Sequence, residues 1–228
     1  MSPRKGLRHA AGTRGSAARR GLFAGRRRGV LGLTPHSAAK DASPHVRRIP
    51  PLFPNARLIA HRAELATFDS LHPMQWAWYV EDGTDGIDPG RLAVTDGDIE
   101  LGHGVSIIWT PGHIDGNHSL CLNTPDGVWV SSENGISADN WQPGQSRIPG
   151  IRAYHRRFRR EVVPNANTLE DAIDQYDSMV IEKTLADPSP RDPRWLQILP
   201  SSELAPWRRH WPVIPTFHHG GIDYDTSR

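Results

Sequence analysis

One stretch constrains this chain more than any other: VSIIWTPGHIDGNHSLCLNTPDGVWVSSENG, from Val105 to Gly135. An apolar run from Val105 to Trp109 ends at Thr110, and Pro111-Gly112 turns the chain sharply. His113 therefore stands at the mouth of a strand-end loop. Alternation resumes from Ser119 to Leu122, Pro125-Asp126-Gly127 closes a tight hairpin, and a third strand follows from Val128. Glu133 lies directly after that third strand. An imidazole and a carboxylate are thus expected at the ends of neighbouring strands. Zinc and iron sites are built this way, from nitrogen and oxygen donors on rigid, convergent loops.

Length and composition fit one globular domain of ordinary size with a tail. The 228 residues are 37% hydrophobic and include 21 Gly, which excludes collagen-like and wholly disordered classes. No run of 18 apolar residues exists, so no transmembrane helix is expected. One cysteine, Cys121, can close no intrachain disulfide and build no cysteine zinc site. The expected setting is reducing and cytoplasmic, and the 12 histidines direct attention to His/carboxylate chemistry.

The net charge of +2 conceals a division. Residues 1–40 carry ten of the 27 basic residues and no Asp or Glu, leaving a net charge of −8 for the rest. Folded-type composition begins near Ile49. Residues 1–48 are read as a basic segment that is disordered or belongs to a wrong start or reading frame, and residues 49–228 as the domain. A transit peptide or a nucleic-acid tail are weaker readings of the same segment. The acidic body opposes nucleic acid as a partner, so a small-molecule substrate is expected, with no membrane.

Elsewhere, short strands are predicted over 57–61, 105–110, 118–123 and 127–132. A helix is predicted over 168–185, capped by Thr168 and Asp171, with Leu169, Ala172, Ile173, Tyr176, Met179 and Val180 on one stripe. Phe68, Trp76, Trp78 and Tyr79 cluster in residues 63–80, expected to be helical. The basic run His155 to Glu161 reads as a solvated face. Pattern alone supports mixed α and β.

The string TPGH…HSL, the hairpin and the acidic residue after the next strand resemble the metallo-β-lactamase superfamily. FPNARLIAHRAEL (Phe53 to Leu65) and TFHHGG (Thr216 to Gly221) are similar to further segments of that family. The resemblance spans roughly residues 50–221. It implies an α/β fold of the metallo-β-lactamase-like αββα sandwich type, incomplete at the N-terminus. It implies a hydrolase in which one or two zinc ions, or iron or manganese, activate water against an ester, lactone, thioester or similar bond. The metal ligands it implies are His113, Glu133 and His219, with Asp41 as the weakest candidate, a catalytic ligand or proton shuttle.

The sequence departs from the family in three places. Its first metal motif, HxHxDH, is replaced by TPHSAAKDASPHV, where Ala38 and Lys40 fall on ligand positions and only His36, Asp41 and His45 remain. The family's β-rich leading segment is replaced by the basic tail. Glu133 stands where Asp is usual, moving the carboxylate by about a bond length. The alternative reading is therefore a domain that keeps the fold, lacks catalysis and acts by binding.

Overall fold

The computed structural model describes residues 30–32, 55–73, 79, 84, 87–164, 172–204 and 214–220. Two sheets carry the architecture. The smaller is all parallel, in the order β1 (Val30–Gly32), β2 (Arg57–His61), β3 (Leu92–Thr95). The larger runs β4 (Ile99–Gly102), β5 (Val105–Trp109), β6 (His118–Thr124), β7 (Gly127–Ser132), β8 (Ile198–Pro200). Its first four strands are antiparallel neighbours, and β8 lies parallel to β7. The parallel pair needs a long crossover, and α3 (Ala172–Leu185) lies within it. The other α-helices among the described residues are α1 (Arg62–Asp69), α2 (Ile151–Phe158) and α4 (Ser201–Leu204).

The central strands form where the sequence pattern places them. β5 ends at Trp109, one residue before the expected limit, because Thr110 turns its hydrogen bonds into the next loop. β6 and β7 meet through the two-residue turn Pro125–Asp126, with Thr124 paired to Gly127. Gly127 has φ +109°, and a Cβ there would meet the Gln197 amide and Asp187 at 2.7–2.9 Å, so the turn requires glycine. β2 matches its prediction, and His61 at its end caps α1 by accepting the Ala63 N–H on Nδ1 at 3.2 Å.

Two expectations need correction. Helix α3 occupies Ala172–Leu185, and Leu169 with the predicted cap, Thr168 and Asp171, lies outside the described residues. The predicted apolar stripe holds at Met179, which is fully buried, and at Tyr176 and Val180, which pack against the core, but Ile173 is 69% exposed, and polar Gln175, Ser178 and Glu182 share the buried face. Gln175, Ser178 and Glu182 can lie inward beside Met179 because each has hydrogen-bond partners there. In the 63–80 region, the helix ends at Asp69; Phe68 meets Tyr79 edge to face at 5.4 Å, and Trp76 and Trp78 lie outside the described residues. The sequence reading also passed over β1, β3, β8, α2 and α4. All five are short, and α2 exposes a basic surface with Tyr154 and Phe158.

The apolar core gathers Val130, Trp141, Val162, Met179, Ala186 and Ile198 between β7, β8 and α3. Among the described residues, no helix is long and apolar enough to cross a membrane.

Candidate functional site

The loop from Thr110 to Asn117 joins β5 to β6 and carries His113. It is closed on itself by Thr110 N–H to the Asn117 carbonyl at 2.9 Å and by the Asn117 side-chain amide to the Thr110 carbonyl at 2.9 Å. Two helices clamp it. Gly112 has φ +122°, and a Cβ on it would stand 2.2 Å from the Gln175 backbone in α3. A Cβ on Gly116 would stand 2.2 Å from Glu64 in α1. Only glycine permits these approaches, so the TPG and DGN segments of the sequence set the height of His113 between α1 and α3.

The far side of the site follows β7. The His113 backbone N–H donates to Asn134 Oδ1 at 3.2 Å, tying the histidine loop to the loop after β7. His113 Nε2 and Glu133 Oε2 stand 3.7 Å apart, with side chains 20% and 31% exposed. Burial raises the Glu133 carboxyl above its ordinary pKa. The imidazole and carboxylate predicted at neighbouring strand ends are therefore together.

Beneath them lies a group that sequence reasoning missed. The Glu182 carboxylate, fully buried on α3, accepts Ser119 Oγ at 2.8 Å, Ser132 Oγ at 2.7 Å and Asn134 Nδ2 at 2.9 Å on Oε1, and Trp141 Nε1 at 2.9 Å on Oε2. Because Ser119 donates to Glu182, its 2.9 Å contact with Thr110 must be donated by the threonine hydroxyl. One carboxylate thus binds β6, β7, the Glu133 loop and the Trp141 turn. Burial raises its pKa, while its four donors act in the opposite direction. The available signal was its seven-residue spacing from Gln175, but a lone glutamate on a helix reads as solvated.

The structure does not bring His219 to the pair. Its Nε2 faces the Leu196 carbonyl at 2.8 Å, its Nδ1 faces Glu203 Oε1 at 3.3 Å, and its backbone N–H donates to Glu203 Oε2 at 3.1 Å. Trp129 and Phe217 stack edge-on against its ring. His219, 3% exposed in its side chain, anchors the 214–220 segment in this arrangement. His218 approaches Glu203 at 4.0 Å, and its carbonyl accepts Arg191. Asp41, His36 and His45 lie outside the described residues. His118 starts β6 half-buried, with its pKa lowered by burial, and its Nδ1 lies 3.3 Å from the Gly116 carbonyl.

Ligand atoms about 2.1 Å from a shared tetrahedral zinc stand about 3.4 Å from each other. The 3.7 Å separation of His113 and Glu133 is close to that spacing. A catalytic zinc takes three protein ligands. Among the described residues, no group of three His, Cys, Asp or Glu side chains is arranged to hold a metal ion.

No protein-family model matches the chain, and no curated protein matches it. Solved structures do. A quorum-quenching N-acyl homoserine lactone hydrolase is 21% identical, with a TM-score of 0.38, over 58% of this chain and 44% of that one. A probable metal-dependent hydrolase from Staphylococcus aureus is 15% identical, with a TM-score of 0.40, over 58% of this chain and 39% of that one. The chain spans less than half the length of these structures.

Proposed function

We propose that this chain is a metal-dependent hydrolase of the metallo-β-lactamase type, acting on an ester, lactone, thioester or similar bond of a small molecule. The observation that carries the reading is the 3.7 Å approach of His113 Nε2 to Glu133 Oε2 at the ends of adjacent strands. Both are hard or borderline donors suited to zinc, iron or manganese. When bound, such a metal lowers the pKa of its water from 15.7 to about 7 and supplies hydroxide at neutral pH.

The chain's own residues act around that ion. His113 is its imidazole ligand and Glu133 its carboxylate ligand. Asn134 fixes the His113 loop through the backbone N–H, and Glu182 fixes Asn134. His219 joins as a ligand only by releasing the Leu196 carbonyl, and Asp41 remains the proposed proton shuttle or further ligand.

The test is hydrolysis of a panel of esters, lactones and thioesters by the full chain. The reading predicts turnover that a chelator abolishes, zinc or manganese restores, and His113→Ala removes. Turnover indifferent to His113→Ala would overturn it. The second reading, a binding domain without catalysis, is favoured by one observation: only two candidate ligands converge among the described residues. It predicts no turnover in any metal.

A further inference from the structure

We propose a second ligand site in this protein, an oxyanion-binding groove on the 145–152 and 192–195 segments that is separate from the His113–Glu133 pair. A cavity of about 200 Å³ opens there, lined among others by Arg147, Arg152, Arg194 and Asp192.

The charges in it do not cancel. Arg194 donates to Asp192 through Nε at 3.0 Å and through a terminal nitrogen at 2.7 Å, so that pair is internally neutral. Arg147 and Arg152 have no carboxylate partner among the described residues. Each donates one side-chain N–H to a backbone carbonyl: Arg147 to Thr216 at 3.2 Å, and Arg152 to Gln145 at 3.3 Å. A guanidinium has five N–H donors in a planar fork, so both retain most of theirs for a ligand.

The groove is also held in shape. Arg147 N–H donates to Thr216 Oγ1 at 2.8 Å, and Thr216 N–H donates to the fully buried Asp139 at 2.8 Å. Arg152 rides on α2, whose remaining arginines, Arg156 and Arg157, do not line the cavity. Trp195 stacks on Phe217 at 5.2 Å, and Arg191 lies over the same ring, so these aromatics form wall rather than a stacking platform. Two uncompensated guanidinium groups on fixed backbone within one small cavity select a compact oxyanion. Carboxylate and phosphate share that chemistry and both accept paired donors from arginine.

The test is calorimetric titration of the full chain, with inorganic phosphate in one arm and succinate in the other. Saturable binding is expected in at least one arm, and which arm identifies the source. Arg152→Gln and Arg147→Gln should each weaken it tenfold or more. Arg156→Gln, which removes the same charge outside the groove, and His113→Ala, which removes the other site, should change it less than threefold. No saturable binding in either arm overturns the proposal. So does equal loss in Arg156→Gln, which means general surface charge, and so does loss in His113→Ala, which places the anion at the metal-type pair. Circular dichroism of each variant separates lost binding from lost fold, and Arg152→Lys serves as a second probe if Arg152→Gln is unfolded. It retains the charge without the fork and should recover only part of the affinity.

Discussion

Removing the Glu182 carboxylate should destabilise the fold by about 3 kcal/mol or more, because three buried O–H or N–H groups lose their acceptor at about 1–3 kcal/mol each. In Glu182→Ala, Trp141 Nε1–H and Ser132 Oγ–H have no other acceptor among the described residues, and the Ser119–Thr110 hydroxyl pair has one proton too many. Asn134 Nδ2 keeps the Thr110 carbonyl at 3.3 Å and suffers less. Relief from burying a carboxylate offsets part of the loss, which holds the expectation at the low end of the sum. For a chain of this size, about 3 kcal/mol lowers Tm by roughly 6–12 °C. Glu182→Gln keeps one acceptor oxygen but turns an amide N–H toward a donor, so it should cost about 1–3 kcal/mol. Urea unfolding followed by tryptophan fluorescence measures both. The expected order of stability is wild type, Gln, Ala. Glu182→Ala within about 1 kcal/mol of wild type would refute the hub account.

The remaining predictions are independent of that one. Burial raises the Glu182 carboxyl pKa in the folded state, so its ionisation costs native stability as pH rises from the ordinary carboxylate range toward the folded value. The stability advantage of wild type over Glu182→Gln should therefore be largest near pH 4 and narrow toward pH 7; a gap that widens means the four donors outweigh burial. Gly112→Ala should lose about 2–6 kcal/mol from backbone strain and overpacking against Gln175, whereas Gly97→Ala, with no atom within 4 Å of its Cβ, should be nearly neutral in the same melts. Burial, with Glu182 and Asp98 nearby, pushes the Cys121 thiol up to about 11 from 9.0. Its alkylation by iodoacetamide at pH 8 should be about a hundredfold slower than in guanidinium-unfolded chain, and equal rates would contradict this environment.

The parts of the fold visible in the sequence are those with short-range causes. β5, β6 and β7 follow from alternation and a Pro-Asp-Gly turn, and they deliver His113 and Glu133 to within 3.7 Å as the strand-end reading requires. Of the two glycines in the His113 loop, Gly112 was legible as a turn residue and Gly116 was passed over. Their closer reason, the backbones of α3 and α1 at 2.2 Å, is tertiary and leaves no local mark. Glu182 was hidden for a physical reason: an isolated acidic residue on a helix is solvated unless donors from other segments, here four, converge on it. The same blindness to polar partners misplaced one edge of α3: Met179, Tyr176 and Val180 face the core as the stripe predicts, but Ile173 is exposed while Gln175, Ser178 and Glu182 are buried. His219 shows the opposite limit. A histidine before a glycine near the C-terminus fits a ligand pattern, but its ring atoms meet Leu196 and Glu203, and no spacing rule foretells those contacts.

The central claim is that His113 and Glu133 form part of a metal site, and metal content per chain tests it most directly. Elemental analysis of protein purified without chelator should find about one equivalent of zinc, iron or manganese, lost in both His113→Ala and Glu133→Ala while circular dichroism shows the fold retained. Metal-free wild-type protein that takes up none from added zinc or manganese, or a metal content unchanged in the folded His113→Ala variant, would contradict the account.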